Sequence, residues 1–505
     1  MIRIAAILGA AAVLSAGVAN AQAPSVTIDT GPLVGVTEGP ANVFRNIPYA
    51  AAPTGPLRWA PPQAPKAWTA PRAAAEPGPS CPQPMTADGS PNSGGANGPI
   101  SEDCLQLNVF APHAAPKASK LAPVMVWVHG GSNRTGAGWV YGGQNFARDG
   151  VVVVSINYRL GALGYFAHPA LTKAAKPGEI LANYGQMDQI AALKWVQRNI
   201  AKFGGDPKNV TLFGESAGGF DTLALLATPS AKGLYHKAIV ESGGGWFPVQ
   251  TLAAQEAADV ALLAKAGITA NTADDLRALP VEKLVPLNGN FGAVIDGKLM
   301  TETASQAADK ARLNDVPLII GSNSGEDSLM GPGPLPPAAS ALIPPGARAV
   351  YKTEAAAGDE ILARAIFTDR LMGGPARWIA ARAHAGKPAW LYYFSYVGSR
   401  FPASKTRAGH ADEIQYVWEY WGRRTPMSQV STKDQAVASL MHACWVSFAK
   451  TGAPKCGAEP WPAYDPAKDQ LMEFGAASGV RTNLRKPQLD FQETVVLPTL
   501  QLGGK

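Results

Sequence analysis

The chain has 505 residues, 46 % of them apolar, which is enough for a sizeable core and excludes a disordered polypeptide. Only 16 % are charged, while 53 glycines and 43 prolines stop short of a low-complexity composition and predict a compact protein rich in loops. The formal net charge of +6 is spread along the chain with no Lys/Arg run of five or more, so the basic footprint of a nucleic-acid binder is missing.

The N-terminus sets the compartment. Arg3 precedes an apolar run from Ile4 to Val18, and Ala19-Asn20-Ala21 ends it with small residues. This is the pattern of a secretory signal peptide cleaved after Ala21. The run is short for a membrane span of ~20 residues. The expected product is soluble, periplasmic or secreted, with no stable membrane association. Four cysteines, Cys81, Cys104, Cys444 and Cys456, fit export. An even number favours two disulfides; of the three connectivities, Cys81–Cys104 with Cys444–Cys456 is the simplest. There is no C-x-x-C, which leaves a zinc or thioredoxin-like reading little support.

Strands and helices then alternate. Pro123–His129 (PVMVWVH) and Val151–Asn157 (VVVVSIN) are near-continuous apolar runs, suited to the buried interior of a largely parallel sheet. Ile190, Leu193, Val196, Ile200 and Phe203 recur at helical spacing, and Gly204-Gly205-Asp206-Pro207 stops that helix. Val210–Phe213, Ala238–Glu241, Pro317–Gly321 and Trp390–Tyr396 are further strand candidates; Leu252–Ala266 and Lys433–Lys450 are helical. The alternation indicates an α/β fold. Length alone allows two to four domains. However, sheet elements flank the Pro/Gly-rich stretch Gly331–Gly346, which therefore reads as a loop within one domain.

The chemistry starts at Ser216. Gly214-Glu215-Ser216-Ala217-Gly218 lies between a short strand and the helical run Phe220–Leu226, the context of a nucleophile elbow. The following helix directs free N–H groups at the site, which favours developing negative charge. Upstream, His129-Gly130-Gly131-Ser132 ends a strand as a glycine-rich oxyanion loop does, predicting backbone donors at Gly131, Ser132 and Ala217. A serine hydroxyl needs a base. Of the seven histidines, His129 is placed in that loop, and His384 and His442 fall in helical patterns. His410 follows the strand Trp390–Tyr396 in a loop free to reach Ser216. The acid should precede it, after a strand; Glu326 and its neighbour Asp327 both qualify.

These segments together resemble the type-B carboxylesterase/cholinesterase family of the α/β-hydrolase fold. The likeness is carried by Phe44–Ala50 with Leu57-Arg58-Trp59, by Ser101–Asn108, by Asn157–Gly161, and by Asn183-Tyr184-Gly185 with Asp188-Gln189. It continues through Phe203–Gly219, Gly409-His410 with Glu413, Thr451–Pro454, and Trp461-Pro462 with Tyr464. The resemblance implies a central, mostly parallel twisted sheet covered by helices on both faces. It also implies Ser216 as nucleophile, Glu326 rather than Asp327 as acid, and His410 as base. It implies the Cys81–Cys104 disulfide, supporting roles for Glu215 and Ser242, and structural ion pairs Arg45–Glu102 and Arg159–Asp188. Ser132 stands where the family has a third glycine, and Gly325-Glu326-Asp327 replaces its usual Asp-Glu-Gly.

The expected function is a serine carboxylesterase of residues 22–505, acting on small to medium esters without metal or organic cofactor. Between Cys81 and Cys104 there is no Trp, which argues against choline esters. The same segment has few apolar residues besides Pro and Gly, namely Met85, Ala87, Ala96 and Ile100, and so is poorly built as an interfacial lid. Trp246 and Phe247 are candidates for an acyl pocket or for plain core. A specialised ester, carbamate or amide is the alternative substrate class. A non-catalytic binding protein of the same fold is the distant one, because here all three triad types are present.

Overall fold

The protein is described by a computed structural model covering residues 23–113, 121–336, 341–383, 385–422, 425–457, 460–500 and 502. The expected signal peptide and His384 lie outside these residues. In chain order the strands are β1 (Ser25–Ile28), β2 (Gly31–Val34), β3 (Val36–Glu38), β4 (Ala41–Pro48), β5 (Arg72–Ala73), β6 (Gln106–Pro112) and β7 (Ala122–Val128). They continue as β8 (Val152–Ile156), β9 (Gly205–Glu215), β10 (Lys237–Glu241), β11 (Leu318–Asn323), β12 (Ala389–Phe394), β13 (Gln470–Phe474) and β14 (Gly479–Thr482). Strands β1, β2 and β5 form a small sheet; the other eleven form one sheet in the order β14-β13-β12-β11-β10-β9-β7-β8-β6-β4-β3. Pairing is parallel from β8 to β13 and antiparallel at both edges.

The continuous apolar strands are buried on both faces because period-2 alternation splits their side chains between two cores. Val124, Val126 and Val128 pack with Leu193, Trp195 and Leu223 on one side. Met125, Trp127 and Val153 pack with Trp418, Met441, Trp445 and Phe448 on the other. Helices Tyr184–Asn199 and Ala217–Leu226 cover the first face, and helix Thr432–Thr451 covers the second.

All six expected strands form. Strand β9 starts earlier than its apolar run suggests: Gly204 takes φ 82° at the helix end, and the chain enters the sheet at once, Gly205 pairing with Ala122. Residues 331–336 form no helix or strand. Both local disulfides form, with Cα–Cα separations of 5.0 Å for Cys81–Cys104 and 4.9 Å for Cys444–Cys456.

One expected ion pair does form: Arg159 grips Asp188 through Nε–Oδ2 and Nη2–Oδ1, both at 2.8 Å. The Arg45–Glu102 pair does not. The β3–β4 hairpin brings Glu38 back to Arg45 at 2.6 Å, while Glu102 is taken by Arg58 at 2.7 and 2.5 Å. Arg58 is the better-placed partner, because its remaining N–H groups satisfy the carbonyls of Arg277 and Leu279. Among the described residues no helix is long and apolar enough to cross a membrane.

Candidate active site

Five parallel strands deliver the site from their C-terminal ends, the edge of an α/β sheet where exposed loops converge. Strand β7 leads to His129-Gly130-Gly131-Ser132, β9 to Ser216, β10 to Ser242, β11 to Glu326, and β12 to the loop holding His410.

Ser216 sits between β9 and the helix Ala217–Leu226 at φ 57°, ψ −123°, a region L-residues rarely adopt. Its N–H donates to the Glu241 carbonyl at 2.9 Å, which ties the elbow to β10. A Cβ on Gly218 would strike the Val128 carbonyl, and one on Gly214 would strike Gly218 itself. The glycines are therefore dictated by packing of the turn against β7.

The loop after β7 is pinned from several sides. The N–H groups of Arg134 and Thr135 donate to the Gly131 carbonyl, each at 3.0 Å. The Tyr158 hydroxyl donates to the His129 carbonyl at 2.7 Å and lies 3.1 Å from Asn133 Oδ1. Asn133 Nδ2 reaches the buried Asp221 at 3.3 Å. Burial pushes Asp221 up to about 7 against hydrogen bonds from Gln189, Asn133 and Tyr165. Gly131 has φ 105° and Ser132 φ 57°, so a serine occupies a left-handed position and the backbone course survives the loss of a third glycine. Among the described residues, the N–H groups of Gly131, Ser132 and Ala217 donate to no protein acceptor. Ser132, Ala217 and Ser216 line one cavity of about 430 Å³. His129 is buried and held neutral, its pKa lowered to about 4, with Nδ1 on the Gly130 carbonyl at 2.8 Å.

Ser216, His410 and Glu326 form a continuous line. The Ser216 hydroxyl lies 2.7 Å from His410 Nε2, and His410 Nδ1 lies 2.6 Å from Glu326 Oε2. The second Glu326 oxygen accepts from the Ser242 hydroxyl at 2.6 Å and from the Asn323 N–H at 2.7 Å. The His410 loop is sewn to the Glu326 loop: Gly325 N–H donates to Ala408 at 2.7 Å, and His410 N–H to the Ser328 hydroxyl at 2.8 Å. Asp327 turns the other way, accepting from Arg407 at 2.9 Å. Geometry thus separates the two neighbouring acids.

Glu215 Oε1 lies 3.1 Å from His410 Nε2. Burial disfavours a charged imidazole, but Glu215, Glu326 and Glu413 outweigh it and raise the His410 pKa above its usual range. Two further buried acids, Glu241 and Glu413, were not among the residues the sequence marks as functional. Glu241 is pushed up to about 8 by burial and by Glu215, while its Oε1 accepts from Trp445 Nε1 at 2.7 Å. Glu413 is pushed well above the carboxylate range by burial and by three neighbouring glutamates, and it accepts from Asn323 Nδ2. Burial thus disfavours the charged form of both, which limits the negative charge gathered around the imidazole. Their signal in the sequence is a carboxylate at the end of the apolar run Ala238–Val240 and another three residues after His410.

Phe247 lines the cavity with Phe220, whereas Trp246 packs into the core against Trp378, with 6.4 Å between ring centroids. Leu371 and Met372 reach the cavity from a π-helical turn, Asp369–Gly373, anchored by Arg485 on Asp369 at 2.7 Å. Asp149, Glu419 and His442 have ligand-like spacing, but Arg148 already bridges both carboxylates at 2.7 Å, so the cation there is a guanidinium.

The carboxylesterase family profile matches residues 22–339 and 350–492. The chain belongs to the carboxylesterase family. This carboxylesterase is 34 % identical over 477 residues to the fumonisin B1 esterase of Sphingopyxis macrogoltabida, covering 89 % of this chain and 86 % of that one. It is 35 % identical over 484 residues to the para-nitrobenzyl esterase of Bacillus subtilis (strain 168), covering 87 % and 92 %. A solved PNB esterase superposes with a TM-score of 0.80 at 31 % identity, covering 92 % of this chain and 99 % of that one. The fold is that of the α/β-hydrolases, and the carboxylesterase is a carboxylic ester hydrolase.

Proposed function

We propose that Ser216 is the nucleophile of this carboxylesterase, His410 its general base, and Glu326 the carboxylate that orients the imidazole. The reading rests on the unbroken line of hydrogen bonds from Ser216 through His410 to Glu326. His410 takes the Ser216 proton at Nε2 as Oγ attacks the ester carbonyl. The N–H groups of Gly131, Ser132 and Ala217, free of protein acceptors, receive the carbonyl oxygen as it becomes an oxyanion. His410 then returns the proton to the departing alcohol. Water, deprotonated at the same nitrogen, cleaves the acyl-enzyme and releases the acid. Glu215 sits beside Nε2 and steadies the imidazolium while it exists; Ser242 holds Glu326 in register. Replacing Ser216 with Ala should abolish ester turnover in folded protein. Full activity in that variant would remove the assignment.

Residues 22–505 act as one catalytic unit in this reading, since segments from Ser132 to Met372 line the cavity at Ser216 and His410 reaches Ser216 from a later loop. Soluble esters of short or medium length suit that cavity and the Cys81–Cys104 segment, which contains no helix to spread on an oil surface. Two disulfides and the apolar run after Arg3 support export to the periplasm or beyond. A specialised ester is the second reading, favoured by the relative named for fumonisin B1. A chain-length series of nitrophenyl esters, followed by fumonisin B1, separates the two.

A further inference from the structure

Among the described residues, the cavity that holds Ser216 is lined by one charged side chain, and no acid pairs with it. Its lining is apolar along Phe220, Phe247, Leu371 and Met372, and its polar groups are neutral amides and hydroxyls, with one exception. Arg134 is the one charged residue lining it among the described residues. It stands two positions after Ser132, in the turn whose N–H groups close onto Gly131, so its starting point is fixed relative to the oxyanion loop. The guanidinium is located but not neutralised. It donates to Asn288 Oδ1 at 2.5 Å and to the Leu287 carbonyl at 3.3 Å, and its Cζ lies 5.9 Å from the Phe291 ring centroid. Both hydrogen-bond acceptors are uncharged. A guanidinium has five N–H donors, so three remain for a ligand. Most arginines in this chain are spent on carboxylates, as Arg58, Arg159, Arg377 and Arg485 are. Gln250 and Asn290 add neutral amides to the same wall.

A partly enclosed guanidinium without an acid is poised for a planar anion, which it holds through paired hydrogen bonds. An apolar lining beside it suits a methylene chain. We propose that Arg134 makes this carboxylesterase selective for esters that carry a free carboxylate, the anion docking on Arg134 while the ester carbonyl faces Ser216. The proposal rests on the reading of Ser216 as nucleophile. Arg134 is a specificity-determining residue here; it takes no proton and touches no reacting atom.

The test compares matched pairs. Monoethyl succinate, adipate and suberate each differ from ethyl butyrate, hexanoate and octanoate by a carboxylate in place of a terminal methyl. The pair 6-acetoxyhexanoate and hexyl acetate carries the charge on the alcohol side instead. In the native enzyme at least one anionic member should have the higher kcat/KM of its pair. Arg134→Gln should lower that anionic-to-neutral ratio roughly tenfold to a hundredfold, the span of one lost charge-assisted contact, with the loss in KM. Arg134→Lys should recover part of it, because charge returns without the planar fork. Raising salt should erode the native ratio. A ratio that is below one for every pair, or that Arg134→Gln leaves unchanged, overturns the proposal. Calorimetric titration of each of the four anionic esters into Ser216→Ala protein separates the two readings. If no ester is turned over by the native enzyme, the nucleophile reading fails. Binding that Arg134→Gln removes in this background would still support the anion site, and no binding would overturn it.

Discussion

In the proposed mechanism a neutral imidazole at His410 is the condition for taking the Ser216 proton, and the carboxylates around it govern when that condition holds. Its raised pKa means that the ring is protonated, and idle as a base, up to a higher pH than an ordinary imidazole of ~6.5. The acid limb of kcat/KM should therefore lie above that value. Glu215→Gln removes a negative charge 3.1 Å from Nε2, so the pKa falls and the limb moves to lower pH. The plateau rate should fall as well, because the imidazolium of the transition state loses its neighbour. A pH–rate profile checks both; an unmoved limb would mean that Glu215 does not act on the ring. At this scale Ser216 was legible because the elbow needs small residues at fixed offsets. Glu326 was not separable from Asp327 by residue type. Both lie in one loop after β11, and only the turn of the backbone decides which faces His410 and which faces Arg407.

Elements carry these residues, and their ends are held by local chemistry. Helix Thr432–Thr451 covers one face of the sheet through Met441, Trp445 and Phe448, and Trp445 also donates to Glu241 behind the triad. Its start is a capping box: Ser431 accepts from Asp434 N–H at 3.1 Å, and Ser431 N–H donates to Asp434 at 2.8 Å. Ser431→Ala should cost about 1 kcal/mol of stability, read as a lower urea midpoint at unchanged slope. Ester turnover at 25 °C should persist, since the cap lies at the far end of the helix from Trp445. Element positions were readable wherever an apolar run filled a strand. The start of β9 was not, because Gly205 to Asn209 has no apolar signal and is drawn into the sheet by pairing with Ala122.

At the scale of the whole molecule, long-range ties hold the loops in one place. The Cys81–Cys104 disulfide closes the segment whose Gln83 exchanges two hydrogen bonds with the Gly136 backbone, at 2.7 and 2.8 Å. Removing it as the Cys81→Ser/Cys104→Ser pair should cost about 2–4 kcal/mol and reduce activity through the glycine-rich loop that Gly136 ends. Denaturant midpoints and ester kinetics, measured with and without reductant on the native chain, check this. Sequence alone pointed to the α/β class, the elbow context of Ser216 and His410 as the candidate base, because each rests on local spacing or a short list of candidates; the Cys81–Cys104 pairing came from the family resemblance. Only tertiary structure decided that Arg58 rather than Arg45 takes Glu102, that Cys444 pairs with Cys456, and that Arg134 lines the Ser216 cavity with no acid paired to it among the described residues. Those outcomes depend on which side chains the packed sheet brings together across tens to hundreds of residues, and local pattern carries no record of that distance.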